Sequence, residues 1–187
     1  MTSGLTPEEV EAIKYMAEEE KLALDTYTTL GSMYPDMNVF SNIAESEETH
    51  VKAVLALAEN YGVNVTLGPP GEFRNAHLQE LYDELTAKGR QSLRDALEVG
   101  ALVEETDIKD LQEWVGKVVH EDINQTFQCL MLGTRNHLRA FTSILLKQFG
   151  IEYQPQVISE EEYEEIVGSP KEPGWNICKD LHIDVGG

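Results

Sequence analysis

An all-α fold is predicted by three observations. Apolar residues recur at helical spacing through four long segments, capping residues and glycines punctuate those segments, and strand-like alternation is nearly absent. Thr6, Pro7 and Glu9 open the first helix with a capping hydroxyl, a proline at the first position and a carboxylate three residues after the cap. It is expected to run to about Leu30 and to end near Gly31. Asn38 or a neighbour caps a second helix, which stops at Tyr61-Gly62. A loop carrying Gly68, Pro69, Pro70 and Gly71 follows, then a short helix from about Asn75 to Ala87, closed by Gly89. Ser92 to about Val118 reads as a long helix, and His120 or Glu121 to Phe149 as the last long one, closed by Gly150.

Four long helices with a lengthy connection between the second and third define a four-helix bundle with one crossover, the crossover carrying the short helix. Residues 1–150 form this bundle. Composition shifts after Gly150: Ser159 with Glu162 begins a short acidic helix through Glu165 and Ile166, and Pro170, Pro173 and Gly174 mark an irregular tail with Trp175. Residues 151–187 are therefore expected to be an extension packed on the bundle. No repeat at fixed spacing is visible.

At 187 residues the chain suits one domain with a substantial core. Its 14 Lys and Arg against 34 Asp and Glu give a formal charge of −20, which argues against nucleic acid and anionic membrane as partners. No apolar run is long enough to span a bilayer, and the first residues are polar, without a charged and then apolar leader. The expected location is cytoplasmic. Cys129 and Cys178 fall in different parts of the chain and are expected to form neither a CxxC pair nor a disulfide framework, so a thiolate metal site is excluded.

Each long helix carries a polar residue on its apolar stripe. The first stripe reads Ile13, Met16, Ala17, Glu20, Ala23, Leu24, Tyr27, Leu30; the second reads Ile43, Glu47, His50, Val51, Val54, Leu57, Ala58, Tyr61. The third contains Leu97, Gly100, Glu104, Asp107, Ile108 and Leu111, and the fourth Leu130, Met131, Thr134, His137, Leu138 and Phe141. Glu105 falls about 100 degrees away from the third stripe and is a weaker candidate. A lone histidine on an apolar face is more often a satisfied core residue than a ligand. Here, though, all four helices are interrupted about midway, by Glu, Asp and His alone. Buried carboxylates must be protonated, paired or metal-bound. The stripes contain no Lys or Arg, and two divalent cations would balance four carboxylates. Glu20, Glu47, His50, Glu104, Asp107 and His137 thus supply the donors of a dinuclear iron or manganese centre, with zinc as a further option.

The segments "EEEKLALDTY", "NIAESEETH", "GALVEETDIKDL" and "GTRNHLRAF" resemble the ferritin and rubrerythrin superfamily of diiron-carboxylate bundles, and within it an uncharacterised ferritin-like family sharing those four blocks. The likeness covers roughly Thr6 to Gly150. Glu20 followed by Tyr27, and Glu47 with His50, match the superfamily's first-helix and second-helix patterns. The resemblance implies bridging roles for Glu47 and Glu104, with Glu20 and His50 completing one iron site and Asp107 and His137 the other. It departs at Thr134, where a second Glu-x-x-His would place a carboxylate; Asp107 is the expected substitute. Tyr27 has two readings of equal weight, as a core aromatic and as a hydroxyl donor that orients a ligand carboxylate.

The function expected is redox chemistry by two iron ions, or manganese or zinc, with O2 or hydrogen peroxide: oxidase, peroxidase or ferroxidase. Electrons would come from a separate donor or from Fe(II) itself. The alternative is sequestration of iron or another metal without turnover. Fold analogy puts a homo-oligomer, dimer or shell, within range. Gly100 and Gly133 sit inside helices, at about 1 kcal/mol each relative to Ala; close helix approach, beside the site or unrelated to it, would explain them. His77 and His120 read as surface residues, His182 as a tail residue without ligand neighbours, and Glu160 to Glu165 as a solvated face.

Overall fold

A computed structural model of the chain describes residues 4–173 and Cys178. Trp175 and His182 lie outside the described residues. Among these there are six helices and no strand: α1 (Pro7–Met33), α2 (Asn38–Tyr61), α3 (Ala76–Gly89), α4 (Leu93–Val115), α5 (Glu121–Phe149) and α6 (Glu160–Gly168). None is long and apolar enough to cross a membrane.

Local chemistry sets most of the boundaries. Thr6 and Glu9 form a reciprocal capping box at the start of α1, and Asn75, Ser92 and Ser159 cap α3, α4 and α6 through side-chain oxygens. Gly62 and Gly150 end α2 and α5 in the left-handed conformation, both at φ 65°. Several ends differ from expectation: α3 includes Gly89, with Arg90 as its C-cap residue, and α2 follows Met37 without a side-chain cap. α1 passes through Gly31 to Met33, because a Cβ there would lie only 3.3 Å from that of Phe40, and the glycine lets α2 start close by. α4 stops at Val115, not Val118: the backbone N–H groups of Val119 and His120 turn toward Glu9 Oε1, each at 2.8 Å, which takes the chain off the helix axis.

The short connection 34–37 sets α1 against α2, and 116–120 sets α4 against α5. Contacts of α1 with α4 and of α2 with α5 close the four-helix arrangement, while α3 packs on α1 and α4 within the long crossover. The apolar core is in two parts. One contains Tyr27, Leu30, Phe40, Ile43, Leu97, Leu138 and Phe141, the other Ile13, Met16, Val54, Leu57, Leu111, Phe127 and Leu130. Along α1, α2 and α5 the polar stripe residues fall between them, and on α4 Glu104 and Asp107 precede Leu111 of the second, flanked by Val103 and Ile108 of the first. Phe141 packs against Tyr27 and Phe40 at ring separations of 5.2 and 5.8 Å and fills the space that Gly100 leaves; a Cβ at Gly100 would come within 2.5 Å of the ring.

The extension lies against α4 and α5. Glu105, fully buried, accepts hydrogen bonds from the backbone N–H groups of Gln156, Val157 and Ile158 and from the Tyr153 hydroxyl. Its role is to hold this segment, consistent with its position off the α4 stripe. Farther on, Glu172 meets Arg135 and Arg139 of α5, and Cys178 is joined to Cys129 in a disulfide. The expectation that the two cysteines stay apart is therefore overturned. Sequence distance had suggested separation, but Ser169 and Glu172, after α6, meet Arg139 and Arg135 of α5, and Cys178 meets Cys129 nearer the start of that helix.

Candidate metal centre

Four helices contribute to the layer between the two apolar clusters. Glu20 comes from α1, Glu47 and His50 from α2, Glu104 and Asp107 from α4, and His137 from α5. Spacing of three residues puts Glu47 and His50, and likewise Glu104 and Asp107, on common helix faces. All six are buried, none more than 8% exposed.

Their donor atoms converge in two groups, Glu20–Glu47–His50 and Glu47–Glu104–His137, each with ligand atoms within 4.8 Å of one another. Glu47 belongs to both. Its Oε2 lies 2.8 Å from His50 Nδ1 and its Oε1 lies 2.7 Å from His137 Nδ1; Glu20 Oε2 is 3.1 Å from His50 Nδ1 and Glu104 Oε2 is 3.4 Å from His137 Nδ1. The imidazole rings are stacked 5.6 Å apart. Yet Glu47 Oε1 and Oε2, Glu20 Oε1 and His137 Nδ1 have no hydrogen-bond partner despite being fully buried. His50 Nδ1 and Glu20 Oε2 are hydrogen-bonded, whereas the four unpartnered atoms are buried polar groups, which are costly unless a proton or a cation meets them. The donor set fits two divalent metals of the iron, manganese or zinc type.

Asp107 stands one step outside both groups. Its Oδ2 accepts a 2.6 Å hydrogen bond from Thr134, three residues before His137, and its Oδ1 is buried without a partner. Tyr27 is fully buried against Phe141, and its hydroxyl donates to Glu104 Oε1. Sequence reading missed Ser46 and Glu19, and left open whether Gly133 served the site. Ser46 Oγ lies 3.0 Å from His137 Nε2 and fixes the ring so that Nδ1 faces Glu47 and Glu104. Gly133 is there for His50, since a Cβ would come within 2.6 Å of its Nε2. Glu19 is buried with neither oxygen partnered, hidden in the "EEEK" run because position 19 is off the stripe. His120 is not a surface residue but half-buried, its Nδ1 2.9 Å from Glu9; His77 is exposed as expected.

Without cations the layer must share protons. Burial pushes the carboxyls of Glu20, Glu104, Asp107 and Glu19 upward, Glu20 to about 7 even with His50 opposing. Burial opposes ionisation of Glu47 too, but His137 and His50 outweigh it and hold that carboxyl far below the usual range. Burial alone would lower the imidazoles; Glu47 and Glu104 push His137 up to about 9, and Glu47 and Glu20 raise His50. Bound cations would displace those protons. Buried Lys21 does not neutralise the layer, being engaged with Asp25 at 2.5 Å and with the Pro69 carbonyl at 3.0 Å.

The same polar residues lie within a stretch shared with known proteins. A sequence profile described as "Uncharacterized protein domain (DUF2202)" matches residues 9–170. The uncharacterised protein MJ0754 of Methanocaldococcus jannaschii is 47% identical over 174 residues, 92% of this chain and 93% of the relative. The crystal structure of hypothetical protein MJ0754 from Methanococcus jannaschii superposes with a TM-score of 0.87 at 45% identity, covering 92% of this chain and 98% of that one. From profile and relative together, the chain belongs to the DUF2202 family.

Proposed function

We propose that this chain is a ferritin-like bundle that holds two metal ions, iron first among them, and uses them to reduce O2 or peroxide. The observation that carries the reading is Glu47: one carboxylate, buried and without hydrogen-bond partners, common to two Glu–His groups. Glu20 and His50 would hold one ion, Glu104 and His137 the other, and Glu47 would bridge them, with Asp107 in reserve beside the second. When bound, a pair of iron ions supplies two electrons to the oxidant.

The chain's own residues do the rest. Ser46 and Tyr27 orient His137 and Glu104, so the donors are in place before metal arrives. The two apolar clusters keep bulk water from either side of the layer. A cleft of about 350 Å3 between α2 and α5, lined by Ser46, His50, Gly133 and His137, is the route by which a small oxidant reaches the imidazole edge. Electrons then return from a separate donor or from further Fe(II).

Protein purified without a chelating tag, loaded with Fe(II) in the absence of air and given successive equivalents of O2 or hydrogen peroxide, tests this. Uptake of two ions per chain and repeated oxidation cycles in the presence of reductant are expected. Two ions bound and oxidised once, without further cycles, would favour sequestration, and no bound metal would end the proposal.

A further inference from the structure

The disulfide lies on the wall of the cleft that leads to the metal layer. Cys129, Gly133 and His137 follow one another at intervals of four along α5, and all three line that cleft together with His50 and Lys171. One helical turn, about 6 Å of rise, separates Cys129 from Gly133, which is the residue that abuts His50 Nε2. The partner cysteine is held there by more than its sulfur. Glu172 accepts from Arg135 Nε and Arg139 Nη1, both at 2.8 Å, and its backbone N–H and carbonyl meet the Asn136 amide at 2.9 and 3.0 Å. These contacts tie Glu172 to α5 independently of the disulfide. Cys178 is buried, whereas Cys129 is half-buried beside the cleft.

We infer that Cys129 and Cys178 are a redox-cycling dithiol that returns two electrons to the metal layer after each reduction of peroxide. The inference rests on the dinuclear reading above. The stoichiometry closes. Two Fe(II) and two protons reduce one hydrogen peroxide to two waters, leaving two Fe(III). The two thiols then form the S–S bond, give one electron to each Fe(III), and release the two protons that the first step consumed. The net reaction is peroxide plus dithiol to two waters plus disulfide. An external dithiol then attacks Cys129, the more exposed sulfur, and Cys178 departs as thiolate.

The test uses the unaltered chain in two states. Reduced protein carrying two Fe(II) receives one equivalent of hydrogen peroxide without air; acid quench and alkylation then count free cysteines by mass, and a chelator counts Fe(II). Loss of both labelled cysteines with both ions again ferrous is expected. Disulfide-form protein treated identically is expected to stop at Fe(III), and reduced metal-free protein to keep its thiols over the same interval. Persistent Fe(III) beside two free thiols would overturn the inference while leaving the dinuclear reading intact. Equal thiol loss without metal would likewise overturn it, because the thiols would then react with peroxide directly. Failure to take up iron at all would remove both.

Discussion

Two sets of buried carboxylates share this bundle and are treated in opposite ways. Glu9, Glu18 and Glu105 are saturated by N–H donors from the connections they hold: Glu9 by Val119 and His120, Glu18 by Arg74 and Asn75, Glu105 by residues 156–158. Glu20, Glu47 and Asp107 each keep at least one buried oxygen without any donor, and they face one another between the apolar clusters. A carboxylate supplied with backbone N–H groups is a clamp. One supplied only with other carboxylates and imidazoles must be protonated, paired with imidazolium or met by a cation. Burial alone does not distinguish the two sets; the chemistry of the partners does.

Glu47→Gln removes the shared ligand and should break the comparison most sharply. Both ions are expected to bind more than about 100-fold more weakly, since even residues that only orient ligands are worth 10–100-fold. Metal titration of the folded variant, with its helical circular dichroism unchanged, checks this. A pair of glycine substitutions comes next. Gly133→Ala should drive His50 from its place and lower the metal content from two ions to one. Gly100→Ala should instead press on Phe141, keep both ions, and lower the melting temperature by roughly 2–4 °C, about 1 kcal/mol net of overpacking against better helix propensity.

On the clamp side the expected effect depends on pH. Burial pushes the Glu9 carboxyl up, but hydrogen bonds from Thr6 and His120 outweigh it and bring it from 4.5 down to about 2. A folded-state value below the unfolded one means that the stabilisation is complete above about pH 5 and disappears as pH falls toward 2. Glu9→Gln should therefore cost about 2–3 kcal/mol at pH 7, and denaturant curves of variant and wild type should converge near pH 2. Tyr27→Phe removes one donor to Glu104 and should weaken binding about 10-fold at the Glu104–His137 group alone.

Much of the helical framework was legible because caps and terminal glycines are local signals: Thr6 with Glu9, Asn75, Ser92, Gly62 and Gly150 stand where the sequence puts them. The four interruptions at Glu20, Glu47 with His50, Glu104 with Asp107, and His137 were legible because helical period is a one-dimensional property. What was not legible depends on which distant segments meet. Nothing near Cys129 in sequence announces Cys178, because a tail clamped by Glu172 brings them together. Glu9 was read as a cap for α1, and its second role, accepting from Val119 and His120, arises only once α5 starts beside it. Ser46 and Gly133 acquire meaning only when α2 faces α5. Asp107, read as a ligand, stands outside the two converging groups and accepts from Thr134, a placement that spacing along one helix does not resolve.

The central claim is that the unsatisfied carboxylates are the seat of two cations. Anomalous diffraction from crystals of the chain soaked in Fe(II) without air, recorded at the iron edge, tests it most directly. The account predicts two peaks about 3.5–4 Å apart on either side of Glu47, one beside His50 and the other beside His137. Iron found solely among surface acids such as Glu160 to Glu165, with the layer between the apolar clusters empty, would contradict it.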